Sequence, residues 1–165
     1  VSLREVARKA GVSHAAPYHH FTNKSQLLAA VAEEGFLRFN GYQERAFRMA
    51  RTKQPQERLK ALGRAYVRFA VAHPSFFRIM FRYDITDPLK YPLLTALSKK
   101  TFDRLFNTVS ECLKKENQSA DPMQASIRAW ALVHGLATLW LDGRLNKLPA
   151  GNEMIDKIID QSIYF

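Results

Sequence analysis

One cysteine, Cys112, occurs in 165 residues. An internal disulfide is therefore excluded, and the usage fits a reducing, cytoplasmic compartment. Long apolar runs are also missing. The longest, Ala129 to Leu141, carries no Asp, Glu, Lys or Arg, but a bilayer span needs about 20 residues, so no membrane segment is expected. There is no glycine-rich phosphate loop, no Ser/His/Asp order and no paired-carboxylate motif, which argues against an enzyme and leaves no catalytic candidate. His14, His19 and His20 are badly spaced for one helix face and no cysteine or acid joins them, so neither a metal nor a cofactor is expected. Internal repeats, low-complexity tracts and a convincing strand pattern are lacking. Acidic charge is scarce: 15 Asp and Glu stand against 25 Lys and Arg, a formal net charge of +10. Residues 1–51 hold 8 basic and 4 acidic groups, and residues 52–165 hold 17 and 11. The excess is spread along the chain. It favours approach to polyanions without identifying a nucleic-acid partner.

What is present is helical periodicity, beginning with the stretch SLREVARKAGVSHAAPYHHFTNK from Ser2 to Lys24. Ser2 and Glu5 have the spacing of a capping box. Leu3, Val6, Ala7 and Ala10 then share one helical face. Gly11 stops the helix, Val12 is expected to plug the angle after it, and Ser13 caps a second helix from about His14 to His20. His14, Ala15 and Ala16 at its start are small or polar, which suits entry into a groove. Pro17 removes a backbone donor, so this helix must be short or begin with a loosened turn. Tyr18 and His19 fall on the outer surface, while His20 is expected to be buried beside Phe21, a core plug. Asn23 caps a third helix, whose start with Lys24 is a seat for phosphate. Two short helices and a tight turn, with the second presented outward, are the layout that reads a DNA major groove.

The remainder reads as a helical body. A linking helix runs from Lys24 to about Arg51, and the segment around Pro55 divides a head, residues 1–51, from a body, residues 52–165. Helices are expected from Pro55 to Ala72, Ser75 to Arg82, Pro92 to Glu116, Pro122 to about Gly143, and from a cap at Asn152 to Tyr164, with a loop from Tyr83 to Lys90. Aromatics concentrate at Tyr66, Phe69, Phe76, Phe77, Met80, Phe81, Phe102, Phe106, Trp130 and Trp140, in company with that methionine. Singly, each suits a core. Together they suit the lining of an apolar cavity with a few polar fixers, among His134, Tyr66 and Arg78. The candidate ligand contacts are Tyr66, Phe69, Phe76, Phe77, Met80, Phe106, Trp130 and His134, and the ligand is a small apolar or amphipathic effector. The helix from 122 to 142 is apolar nearly all round, and the last helix carries Met154, Ile155, Ile158, Ile159 and Ile163. Such stripes need cover, which a homodimer through helices 122–142 and 153–164 supplies. The alternative is packing inside one subunit.

The run Tyr18-x-His20-Phe21-x-Asn23-Lys24-x-x-Leu27-Leu28, with Ser2 to Ala7 and Ala10 to Ser13 before it, resembles the DNA-binding region of the TetR family of transcriptional regulators. Trp130 to Gly143 (WALVHGLATLWLDG) resembles the C-terminal domain of one TetR branch, marked by Trp, His and Gly. The resemblance implies an all-α bacterial regulator with a helix-turn-helix head, an effector-binding body and a dimer on a near-palindromic double-stranded DNA operator. It implies phosphate contacts by Ser2, Tyr18, His19 and Lys24, and base-edge proximity for His14, Ala15, Ala16 and His19, with Ser13 in the same turn. Ala15-Ala16-Pro17 departs from the Gly-Thr-Leu common at that place. The family also has a helix ahead of position 1, so the reading expects a fragment that binds DNA poorly. A rival reading of another class is a small-molecule-binding dimer whose DNA recognition is vestigial.

Overall fold

The computed structural model describes residues 2–85, 87–145 and 151–162, with backbone alone at residues 151 and 152. Among these the chain is all-helical: α1 (Leu3–Ala10), α2 (Lys24–Met49), α3 (Pro55–Ala72), α4 (Pro74–Met80), α5 (Pro92–Lys115), α6 (Pro122–Leu141) and α7 (Gly151–Ser162). α7 begins at Gly151, one residue ahead of the expected Asn152 cap, and Ile163 and the expected end at Tyr164 lie outside the described residues.

Local chemistry sets these boundaries. Ser2 Oγ accepts from the Glu5 N–H at 3.2 Å, and Gly11 closes α1 in the left-handed region at φ 70°. Asn23 Oδ1 accepts from the Gln26 N–H at 3.0 Å, and Gln26 Oε1 reaches back to the Thr22 N–H at 2.7 Å. Proline stands at the first position of α3, α4, α5 and α6, where its missing N–H costs nothing and its fixed φ already suits a helix.

The core forms where α2 enters the body. Phe36 and Phe39 on α2 are 4% and 1% exposed. Phe39 stacks at 5.0 Å on Phe69 and edge-on at 5.1 Å on Tyr66, both from α3. Gly35 lets α4 come close: a Cβ there would lie 2.7 Å from both Cγ and Sδ of Met80 and 3.3 Å from Phe76. Ion pairs brace the periphery, with Arg104 to Glu44 at 2.6 Å joining α5 to α2, and Arg58 to Glu111 joining α3 to α5. On α7, Ile155 and Ile159 are buried, and Asp160 and Asp156 pair with Arg64 and Arg68 of α3. Cys112 of α5 is fully buried, and its thiol is pushed up to about 11, chiefly by burial and next by Glu116.

Several expectations are corrected. The helix from His14 to His20 is a 3-10 turn, Ala16–His19, because Pro17 cannot donate the bond that an α-helix needs there. Val12 is 47% exposed and plugs nothing; Leu3 and Ala7 of α1 are the buried apolar residues of this region. His20 is exposed rather than buried, its ring 6.3 Å from Phe21, which is half-buried. The loop after α4 holds a 3-10 turn, Tyr83–Ile85, whose Ile85 is fully buried in the core.

Two glycines of α2 should respond oppositely to substitution. Gly35→Val must displace buried Met80 and should cost about 1–3 kcal/mol. Gly41 has nothing within 4 Å of a Cβ, so Gly41→Ala should add about 0.5–1 kcal/mol of helix propensity. Urea unfolding of both variants checks the pair.

Candidate DNA interface and effector cavity

The head places its sequence-predicted residues at the surface. Ser2, Ser13, His14, Ala15, Tyr18, His19 and Lys24 are exposed, and Ala16 is half-buried. Ser13 Oγ accepts from the Ala16 N–H at 3.2 Å, which starts the 3-10 turn. The Phe21 N–H donates to Pro17 O at 2.8 Å and turns the chain toward α2. Arg4, Arg8 and Lys9 are also exposed on α1, so hydroxyl, imidazole, phenol and cationic groups are offered together. These are the groups that bond phosphate oxygens and base edges.

The body holds a cavity of about 900 Å³, partly open to solvent, between α2, α3, α5 and α6. Its walls are mainly apolar, including Phe36, Phe39, Leu59, Phe81 and Phe102. Trp130 Nε1–H donates to the Tyr66 hydroxyl at 3.2 Å, and that hydroxyl lies 2.7 Å from His134 Nδ1. The hydroxyl oxygen has two lone pairs, so it accepts from Trp130 and stays within bonding distance of the imidazole in either His134 tautomer. Burial holds the His134 pKa below its usual 6.5 and pushes the Tyr66 hydroxyl well above its usual 10, against the opposing hydrogen bond from Trp130. Both groups are thus held neutral near pH 7. Gln43 of α2 is part of the same wall, 4% exposed, and its Oε1 has no hydrogen-bond partner.

Of the eight proposed ligand contacts, Tyr66, Met80, Trp130 and His134 line this cavity. Phe69, Phe76, Phe77 and Phe106 do not. Phe69 is wholly interior, wedged against Phe39 and Tyr42. Phe76 is half-buried against the core beside α2, under the Arg38 guanidinium at 5.0 Å. Phe77 lines a smaller cavity of about 270 Å³ on another side of His134, where Arg78 bonds Asp142 and Leu141 O. Phe106 is half-buried on α5 away from the cavity. Sequence reasoning missed Phe36, Phe39 and Gln43 because it treated α2 as a link rather than a wall. Spacing offered one signal: Phe36, Phe39 and Gln43 recur at three and four residues on one face of α2. Among the described residues no group of three or more His, Cys, Asp or Glu is arranged for a metal, and no helix is long and apolar enough to cross a membrane.

An outward head of two short helical elements, carried on one long helix that also walls a cavity in the body, defines a class of DNA-binding transcriptional regulators. Comparison with known proteins gives the family. Residues 1–31 match the model for bacterial regulatory proteins of the tetR family, and residues 59–162 match that for the tetracyclin repressor-like C-terminal domain. The chain belongs to the TetR family of transcriptional regulators. A protein of unknown function from Rhodococcus sp. RHA1 is 34% identical over 99% of this chain and 82% of its own, with a TM-score of 0.79. The TetR family regulator PfmR from Thermus thermophilus is 20% identical over 97% of this chain and 86% of its own, with a TM-score of 0.77. A TetR/AcrR family regulator from Thermobifida fusca is 16% identical over 100% and 88%, with a TM-score of 0.61. The last two show likeness of fold alone. No curated protein matches the sequence.

The buried imidazole makes stability depend on pH. With a native pKa below 6.5, His134 takes up its proton more readily in the unfolded chain. Its contribution is constant above 6.5, and stability is lost as pH falls from 6.5 through the native value. In His134→Leu this part of the acid loss should vanish, whatever the substitution does to stability at neutral pH. Urea unfolding of both proteins at several pH values above and below 6.5 checks it. Parallel losses in both would place the acid sensitivity elsewhere.

Proposed function

We propose that this chain is a ligand-responsive repressor that binds a near-palindromic operator as a homodimer. The observation behind the reading is the double use of α2. This helix starts with Lys24 beside the head and, further along, contributes Phe36 and Phe39 to the cavity wall. A molecule in the cavity therefore touches the element that carries the head. To act, it must bind one spacing of the two heads better than the other.

In this reading residues 1–51 are the DNA-binding unit with its linking helix, and residues 52–165 bind effector and form the dimer. Ser2, Tyr18, His19 and Lys24 bond phosphates; His14, Ala15, Ala16 and His19 face base edges; Ser13 holds the turn between. Two heads would sit about 34–36 Å apart in successive major grooves. The dimer surface is the outer side of α6 with the flank of α7. Leu139 there is 45% exposed, a Cβ at Gly135 would meet nothing within 4 Å, and Leu132, Met154 and Ile158 are half-buried. Ile155 and Ile159 are already used against the chain's own core, so α7 has only its flank left to give.

Operator binding of full-length Lys24→Ala and Tyr18→Phe, measured over a range of salt concentrations, tests the head. Lys24→Ala should weaken binding and flatten the log affinity–log salt slope by about 1. Tyr18→Phe should weaken binding with little change in slope. Unchanged affinity and slope in both variants rejects the phosphate roles. Tight effector binding with no sequence preference for DNA at any salt favours the vestigial-head reading. Leu139→Lys should give monomers in sedimentation with helical content retained; a persisting dimer removes α6 from the interface.

A further inference from the structure

We infer that the effector is an uncharged, mainly apolar molecule carrying a hydrogen-bond donor, and that Gln43 is the residue that selects it. The inference rests on reading the cavity as the effector site. Three features of the wall lead to it.

First, the wall offers almost no charge. Apart from neutral His134, Lys99 is the one ionisable cation among its lining residues. Its ammonium lies 2.6 Å from Asp103 Oδ2, and its side chain is 71% exposed. A carboxylate drawn into the apolar interior would lose its water and meet no free cation there. Second, the hydroxyls of the α5 wall have spent their hydrogens. Thr95 donates to Tyr91 O at 3.1 Å, Ser98 to Thr95 O at 3.0 Å and Thr101 to Leu97 O at 3.2 Å. A carbonyl only accepts, so each of these oxygens keeps lone pairs and has no proton to give. The Tyr66 hydroxyl is already engaged by Trp130 and His134.

Third, Gln43 Oε1 is a buried acceptor with no donor. A buried, unsatisfied oxygen is costly, and a group that completes it is bound more tightly than the same group in a fully paired wall. Among these wall groups the Gln43 amide is the one left to pair: Oε1 lacks a donor, while its Nε2–H groups can meet a ligand oxygen. A ligand hydroxyl, phenol or N–H can donate to Oε1, whereas an ether, ester or carboxylate can only accept and leaves that oxygen unpaired. The volume of about 900 Å³ lies toward the upper end of small-molecule sites, which leaves room for a fused ring system or a long alkyl chain behind the polar group.

Three probes on one skeleton test this: para-hexylphenol, para-hexylanisole and para-hexylbenzoate, titrated at pH 7.5 into the purified protein. Calorimetry and the emission of Trp130, which lines the cavity, give the affinities. The phenol should bind about five- to tenfold tighter than the anisole, and the benzoate should be the weakest. Gln43→Met keeps length and bulk and removes both polar atoms. In that variant the phenol should lose its advantage while anisole affinity stays within about twofold. Equal affinity for phenol and anisole in the unmodified protein overturns the inference without any variant. So does a preference that survives in Gln43→Met, or a benzoate that binds tightest. Binding of the anisole without preference for the phenol leaves the cavity as the effector site and removes the donor requirement. Saturable binding of none of the three removes both.

Discussion

Helix α2 presses Phe36 and Phe39 into the body while α4 lies against it at Gly35, with Met80 filling the space that a side chain there would need. Much of the remaining architecture follows from this close approach. Because α4 sits so near, Met80 reaches past Gly35 to become part of the cavity wall. Because Phe39 stands between Phe69 and Tyr66, α3 is fixed at a distance that leaves Tyr66 beside His134 and Trp130. A helix of 26 residues, about 39 Å long, is thus clamped over part of its length and leads at its other end to the head. Close-packed interiors resist gradual deformation, which supports the proposal that an effector would act on the head through α2 as a whole.

The cavity and the core share their materials, and polarity separates them. Phe69 and Leu59 differ little in chemistry, yet Phe69 is enclosed on every side and Leu59 borders empty space. Around that space stand groups that a core would not leave so arranged: an amide oxygen with no partner, a hydroxyl bridging an indole and an imidazole, and hydroxyls bonded back to their own helix. Such back-bonding keeps polar side chains tolerable on an apolar wall.

The fold was legible in the sequence wherever local chemistry decides. Capping by Ser2 and Asn23, termination at Gly11 and helix starts at Pro55, Pro74, Pro92 and Pro122 are written in single residues and their neighbours. The exposure of Tyr18, His19 and Lys24 was legible too, since polar groups on a short head have few places to go. What failed depends on groups distant in sequence. His20 was assigned a buried place from its neighbour Phe21, but no other element closes over it. Phe69 and Phe77 looked like cavity residues by composition, and only their position around the α3 and α4 axes assigns one to the core and the other to a second hollow. Gln43 was overlooked because a lone glutamine in a long amphipathic helix reads as solvated; its burial comes from elements that arrive later in the chain.

Cys112 has no solvent exposure, and its thiol ionises only near pH 11. At neutral pH it is neither reachable nor nucleophilic. A second cysteine introduced on the outer side of α1 would therefore be the reactive thiol of this chain. In the proposed dimer, spin labels or dye pairs attached there would report distances between subunits with the native thiol left in place.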